Sequence, residues 1–316
     1  MGLFRPAPYG VDLGGGSLKV VRLKGKRVAT AALIDIPEEI REVETRTISI
    51  LHDFLKGIGA SGKQAVVQLP GGQAFIRTVN FPPMPRGELN EAVTWEVKRQ
   101  SPYPPEDTIY DYVAVQTEEG LAVTFASAER KAVLRHIFPF KEAGVDVIAI
   151  DISPLCLLRA LKPKSPGNVM LLDIGAVSTE INIAKGGILR LSRTVDMGGD
   201  YIKRYFLSAG ASPADAEKQV REGGEEELKA PLDEFLREIT RSMDYYTANF
   251  KEKTFAEVIL TGGVSINPAV KNYFTRALGI PLGAPNPFEG QEMADETMRG
   301  LGPRFSVALG LAMRAG

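Results

Sequence analysis

The chain has 316 residues, 44% of them hydrophobic, with 38 Lys and Arg against 39 Asp and Glu. That length suits about two domains with sizeable cores, and the balanced charge excludes a general nucleic-acid binder, which carries a basic excess. One cysteine and two distant histidines exclude an internal disulfide and a structural zinc site, and neither a transmembrane run of roughly 20 apolar residues nor a signal-peptide core is present.

Residues 9–23 predict a strand, a glycine turn and a second strand. Val11 and Leu13 alternate about Asp12, and Val20, Val21 and Leu23 resume an apolar run. The turn Gly14-Gly15-Gly16-Ser17 lets a ligand approach its N–H groups. With Asp12, Ser17 and Lys19 it offers a carboxylate, a hydroxyl and an ammonium, a set that suits a nucleotide phosphate and its magnesium ion. It is not a P-loop, because no Gly-Lys-Ser/Thr opens a helix, and not a dinucleotide turn, because a strand follows the glycines.

Residues 27–37 predict another strand. Residues 43–58 predict a helix with Ile48, Leu51, Phe54, Leu55 and Ile58 on one face and His52 at its surface. A buried strand follows at 65–69 and an alternating one at 75–81, before the rigid break Pro82-Pro-Met-Pro85. Residues 86–100 form a helix with Leu89, Val93 and Val97 in register. Trp95 lies off that stripe and is read as packing on the next segment in preference to a partner contact. Residues 108–117 and 121–127 make a hairpin, and 129–143 a helix carrying a structural His136. After a strand at 145–152, Ser153 caps and Pro154 opens a helix in which Cys156 is a small buried apolar residue.

A linker at 163–167 leads to a second copy of the opening pattern at 169–188. Asp173 falls on Asp12, Gly175 on Gly14, Ser178 on Ser17, Ile181 on Val20 and Gly186 on Gly25. Two halves that each begin with a phosphate-type hairpin imply two related lobes facing each other across a cleft. Residues 190–195 are a strand. Behind Gly198-Gly199, residues 201–209 form a helix whose first N–H groups suit an anion or ribose hydroxyls. Ser212-Pro213 and Asn267-Pro268 cap further helices, the second ended by Gly279, and 221–229 reads as solvated charge. Residues 232–250 carry one apolar stripe: Leu232, Phe235, Leu236, Ile239, Met243, Tyr246 and Phe250. Residues 286–302 are loop-rich, and 304–314 a last helix.

The paired hairpins resemble the two phosphate motifs of the actin, sugar kinase and Hsp70 superfamily. Glu257-Val-Ile-Leu-Thr-Gly-Gly-Val-Ser265, with its strand ending in Gly262-Gly263, resembles the adenosine motif. Within that superfamily the chain resembles the PilM family of actin-like type IV pilus assembly proteins over nearly its whole length. The resemblance includes Phe75-Ile-Arg-Thr-Val-Asn-Phe-Pro82, residues 96–112 with their Ser-Pro-Tyr-Pro run, 151–161 and 236–246. It implies an α/β chain with a two-lobed actin-like ATPase fold, made of duplicated ribonuclease-H-like domains with an FtsA-type inserted subdomain. The first lobe would span 1–162, interrupted by the insert at about 75–145. The second would span 163–303, with 304–316 a helix packing back on the first. Unlike FtsA, the chain shows no basic amphipathic tail beyond that helix.

The resemblance also implies ATP and magnesium between the lobes. Asp12 and Asp173 would face Mg²⁺ through water. Gly14, Gly15, Gly16 and Ser17, with Gly175, Ala176, Ser178 and Thr179, would donate to the phosphates, and Lys19 would add charge. Gly198, Gly199, Gly262 and Gly263 would flank ribose and base, the last pair leaving room for the nucleotide. The family more often shows Gly-Ser-Ser-Ser where this chain has Gly-Gly-Gly-Ser, and Ala176-Val177 brings no hydroxyl either. Phosphate contacts must then be mostly backbone, each lost neutral bond being worth about 0.5–1.5 kcal/mol. Hydrolysis needs a group to orient water. Asp151 and Glu180 are the candidates by motif position, and turnover is expected to be slow, the nucleotide mainly setting the lobe angle.

As partner, the resemblance implies the N-terminal cytoplasmic peptide of an inner-membrane PilN-type protein. The peptide would lie in a groove between first lobe and insert lined by parts of 68–77 and 95–112. Other pilus assembly proteins and the motor ATPases follow as further partners. The expected location is the cytoplasm, at the inner face of the membrane, without direct membrane insertion. The rival functions are a small-metabolite kinase, for which no acceptor-site Asp motif is found, and an FtsA-like division filament, against which the missing tail counts.

Overall fold

The computed structural model describes residues 7–41, 44–252 and 254–315. Its strands are β1 (Tyr9–Leu13), β2 (Ser17–Lys24), β3 (Arg27–Asp35), β4 (Gln64–Leu69), β5 (Phe75–Phe81), β6 (Thr108–Thr117), β7 (Gly120–Glu129), β8 (Asp146–Ile152), β9 (Asn168–Ile174), β10 (Thr179–Lys185), β11 (Ile188–Val195), β12 (Phe255–Thr261) and β13 (Leu282–Gly283). They form three sheets, ordered β3-β2-β1-β4-β8, β11-β10-β9-β12-β13 and β5-β7-β6. In each five-stranded sheet the first three strands make an antiparallel meander. The remaining two add in parallel. The duplication read from the hairpins therefore extends to whole sheets. Each sheet with its helices is one lobe.

The central strands are apolar on both faces because helices cover both faces. Val169, Met170, Leu171 and Leu172 of β9 are all buried. The helix Glu44–Gly57 lays Leu51 and Leu55 on the first sheet; Val43 of its expected start lies outside the described residues. The helix Glu225–Phe250 lays Leu232, Phe235, Ile239 and Tyr246 on the second. It starts well before residue 232. Pro231 reads as a break, since an interior proline removes a helix hydrogen bond. Here Leu228 and Pro231 are buried, Glu225, Glu226 and Glu227 fill the first turn, and the Gly224 N–H donates to Glu227 Oε2 at 2.5 Å. Part of the stretch expected to be solvated charge is thus helix.

The chain leaves the first sheet after β4 and returns to it at β8, its hydrogen-bonded neighbour. In between it builds the three-stranded sheet. The helix Arg86–Gln100 covers one face of that sheet through Leu89, Val93 and Val97. The other face leans on the second lobe, where Thr78 Oγ1 donates to the Leu189 carbonyl at 2.7 Å. Trp95 does not pack on the next segment. It is 60% exposed, with the Arg99 guanidinium 5.2 Å from its ring centroid. Cys156 is buried as expected, and His52 is half-buried at the surface of its helix.

Ser306–Ala312 is a helix buried at every position. It crosses β1 and the helix Ser153–Leu161 at backbone-to-backbone distance. A Cβ on Gly10 would strike the Ala308 carbonyl oxygen, and one on Gly310 the Cys156 carbonyl oxygen. In an open helix Gly→Ala stabilises by about 1 kcal/mol. At position 310 we expect the opposite sign. Gly310→Ala should destabilise by about 1–3 kcal/mol through overpacking, read as a lower midpoint in thermal or urea unfolding.

Candidate functional site

Both hairpin turns open on one cleft of about 650 Å³, within the size range of small-molecule sites. They reach it because β1 and β9 deliver their carboxyl ends there, where parallel sheets present ligand-binding turns. Asp12, Gly14, Gly15, Gly16, Ser17 and Lys19 line one wall, and Asp173, Gly175, Ala176, Ser178 and Glu180 the other. Gly199, Gly262 and Gly263 also border the cleft.

The turns match atom for atom. The Gly14 N–H donates to the Ser17 carbonyl and the Gly175 N–H to the Ser178 carbonyl, each at 3.0 Å. Those two N–H groups are therefore used within the turns. The N–H groups of Gly15, Gly16, Ala176 and Val177 meet no backbone acceptor among the described residues and remain as donors. The tips touch across the cleft. A Cβ on Gly15 would stand 2.5 Å from Val177 Cγ2, and one on Gly16 2.5 Å from Ala176 Cβ. The two departures from the hydroxyl-rich pattern thus fit one another, since serine at 15 or 16 would hold the tips apart.

Register places Lys19 opposite Asp12 and Glu180 opposite Asp173. One position of the duplicated hairpin is therefore an ammonium in the first copy and a carboxylate in the second. Lys19 Nζ pairs with Asp12 Oδ2 at 2.9 Å. Asp173 pairs with no cation among the described residues. Withdrawal from water, then the charges of Glu180 and Asp12, push its pKa up to about 7, although the Lys19 charge lowers it somewhat. Burial also raises Glu180, against a hydrogen bond of 2.5 Å from Ser153 Oγ that favours its ionised form. Ser153 is therefore not a helix cap as expected; its buried hydroxyl joins the two lobes through Glu180, which lines the cleft. These carboxylate oxygens are hard donors of the kind magnesium takes. No group of three such side chains close enough to chelate a metal occurs among the described residues, so an ion there would keep most of its water.

Other expected residues sit differently. Thr179 is buried, its Oγ1 donating to the Met197 carbonyl at 2.6 Å. The first N–H groups of the helix Gly199–Ser208 are not free for an anion. Gly199 donates to the Gly175 carbonyl at 2.9 Å and Asp200 to the Ala176 carbonyl at 2.8 Å, so this helix start, with Gly198 behind it, braces the second tip. Gly262 adopts φ +90°, and a Cβ there would meet the Asp173 carboxylate and the Ile174 carbonyl. Its room is filled by protein, and Gly263 alone faces open space. Asp151 does not line the cleft. It pairs with Arg159, stands 3.4 Å from Arg314 Nη1 and accepts the Ile152 N–H at 2.8 Å. His136 is structural, its Nε2 lying 2.5 Å from the Gln68 carbonyl oxygen, and burial lowers its pKa.

Sequence reasoning missed a belt of ion pairs at the mouth. Arg41 Nη1 meets Asp200 Oδ2 at 2.5 Å, Lys203 Nζ meets Glu38 Oε2 at 3.3 Å, and Arg304 pairs with Asp35. The partners lie more than 150 positions apart in the chain, and no motif marks them.

A family model described as type IV pilus assembly protein PilM matches residues 10–316. A chain from the solved PilM-PilN type IV pilus biogenesis complex is similar over 98% of this chain and 99% of that one, with 25% identity and a TM-score of 0.84. MreB5 of Spiroplasma citri bound to AMPPNP is similar over 98% and 96%, at 13% identity and a TM-score of 0.56, a likeness of fold alone. Cell division protein FtsA of Neisseria meningitidis serogroup B is 26% identical over 176 residues, covering 45% of this chain and 41% of that protein. The matched stretch thus spans about two fifths of that curated relative. The fold is the two-lobed actin-like one. No helix among the described residues is long and apolar enough to cross a membrane.

The raised Asp173 pKa sets a pH dependence. The folded chain holds this proton more tightly than the unfolded chain does. The group's favourable contribution is therefore complete below about pH 4 and lost as pH rises through about 7. Asp173→Asn should melt a few degrees above the unaltered, ligand-free chain at pH 8, with the gap closing toward pH 4.5 in thermal scans.

Proposed function

Because the chain belongs to the family of the type IV pilus assembly protein PilM, we propose that it is an actin-like adapter of pilus assembly with two ligands. One is ATP with magnesium between the lobes; the other is the N-terminal cytoplasmic peptide of a PilN-type inner-membrane protein. The observation that carries the second ligand is the likeness to the PilM-PilN complex over nearly the full length of both chains. The first rests on the two matched hairpin turns opening on one cleft. We assign residues 1–162 to the first lobe, about 75–145 to its insert, 163–303 to the second lobe and 304–316 to the helix that packs back. Recruitment to the inner face of the membrane would come through the peptide. The family assignment favours neither a metabolite kinase nor a division filament.

In the cleft, the N–H groups of Gly15, Gly16, Ala176 and Val177 would hold phosphate oxygens. Asp12 and Asp173 would take hydrated Mg²⁺, which would relieve the crowding of carboxylates around Asp173. Magnesium supplies charge neutralisation on the phosphates when bound. Lys19 adds an ammonium beside Asp12, and the open space at Gly263 suits the nucleoside. Gln68, Pro70 and Gly71 from the first lobe also line the cleft.

For the peptide, the free edges favour a place outside the expected 68–77 stretch. β8 is the edge of the first sheet and β6 the edge of the insert sheet, and edge strands present unpaired N–H and C=O groups. Arg314 spans them, donating to the Ile150 carbonyl at 2.6 Å and standing 3.9 Å from Asp111. Ile148 of β8, Val113 and Val115 of β6, and Leu134 and Phe138 of the helix Arg130–Glu142 are exposed apolar side chains. A short apolar peptide could add there as a strand, with alternate side chains set among these residues.

Two measurements check this. ATP with Mg²⁺ at 100 times Kd should add about 2.7 kcal/mol of stability, seen as a rise in melting temperature; no rise with millimolar ATP counts against the cleft reading. A synthetic PilN-type N-terminal peptide should bind in calorimetric titration, and Ile148→Asp should weaken it about tenfold, the loss of one well-buried apolar anchor. Undiminished binding by Ile148→Asp removes the groove assignment.

A further inference from the structure

We propose that Arg41 is a phosphate-contacting residue that a bound triphosphate draws away from Asp200, so that nucleotide occupancy controls a contact between the lobes. This rests on the nucleotide reading of the cleft. The guanidinium is placed for it. Arg41 Nε donates to the Ile36 carbonyl at 3.0 Å, and the Ile36 N–H donates to the Gly16 carbonyl at 2.9 Å. Arg41 is therefore tied to the first hairpin tip, and its Nη2 lies 3.2 Å from where a Cβ on Gly16 would be. Its Nη1 holds Asp200 Oδ2 at 2.5 Å, and the Asp200 N–H is bonded to the Ala176 carbonyl of the second tip. The pair thus bridges the two tips, one member fastened to each.

The stoichiometry of donors points the same way. A guanidinium has five N–H donors in a fork that fits phosphate with two parallel bonds. Here the side chain uses Nε and Nη1, and Nη2 meets no acceptor among the described residues. The other cation beside the turns, Lys19, is already neutralised by Asp12. A triphosphate brings more negative charge than the free N–H groups and one hydrated magnesium ion offset. Like Lys203, Arg41 has its present partner on the opposite lobe, and it is the one of the two tied to the first tip through Ile36. Moving the guanidinium onto a phosphate oxygen exchanges one anion for another. It leaves Asp200 free and removes this ionic tie between the tips, leaving their direct contact.

The test is equilibrium binding of ATP with Mg²⁺ to the unaltered full chain and to Arg41→Ala, Arg41→Lys, Asp200→Asn and the double variant Arg41→Ala/Asp200→Asn. Their far-ultraviolet spectra and melting curves report folding. Loss of a charge-assisted bond predicts that Arg41→Ala weakens ATP about tenfold or more. Asp200→Asn frees the guanidinium and should tighten ATP severalfold. In the double variant the second change should add nothing to the first, because Asp200 acts through Arg41. Should Arg41→Ala fail to fold, a weakening by Arg41→Lys opposite in sign to Asp200→Asn supports the proposal in its place. If both single changes move ATP affinity in the same direction, the pair is only a latch and the proposal is overturned, with the cleft reading intact. If the unaltered chain binds no ATP, both fall together.

Discussion

The structure depends on how closely two turns approach. Gly15 and Gly16 of the first hairpin meet Val177 and Ala176 of the second with no room for a side chain on the glycines. Both tips line one cleft, and the backbone N–H groups of Gly15, Gly16, Ala176 and Val177 meet no backbone acceptor among the described residues. Everything else at the site is arranged behind the tips. The helix start at Gly199 braces one tip, the Ile36 N–H braces the other, and the ion pair of Arg41 with Asp200 joins the two braces.

The duplicated architecture also shows where the copies have separated chemically. Lys19 and Glu180 occupy one register position, opposite the aspartate of each hairpin. The first copy is locally neutral; the second concentrates negative charge and keeps Asp173 near its midpoint around neutrality. A symmetric pair of hairpins has become an asymmetric site. One wall offers a paired cation, and the other a demand for one.

Much of this was legible in the sequence because it is local. Asp12-Leu-Gly14 and Asp173-Ile-Gly175 announce themselves as turns between apolar runs, and their spacing within each half reveals the repeat. The helix Arg86–Gln100 and strands β5 and β6 fall where periodicity places them. What was not legible depends on partners distant in the chain. Ser153 looks like a cap until Glu180 is brought to it from the other lobe. Gly262 looks like room for a ligand until Asp173 fills that room. Trp95 looks like core because tryptophan usually is, yet its helix buries the opposite stripe. Pro231 hides a helix start that Leu228, folded under the second sheet, restores.

The buried helix Ser306–Ala312 has a consequence for how the molecule comes into being. Phe305, Ala308 and Leu309 share a cluster with Val21 and Val28, and Val307 and Leu311 share another with Val66 and Leu157. The first lobe, synthesised early, therefore waits with an open apolar trough until residues made much later leave the ribosome. Vectorial synthesis favours folding the amino-terminal part first, but this topology withholds its final layer. The nascent chain must carry exposed Val and Leu surface through the making of the entire second lobe, a period in which chaperone capture competes with completion.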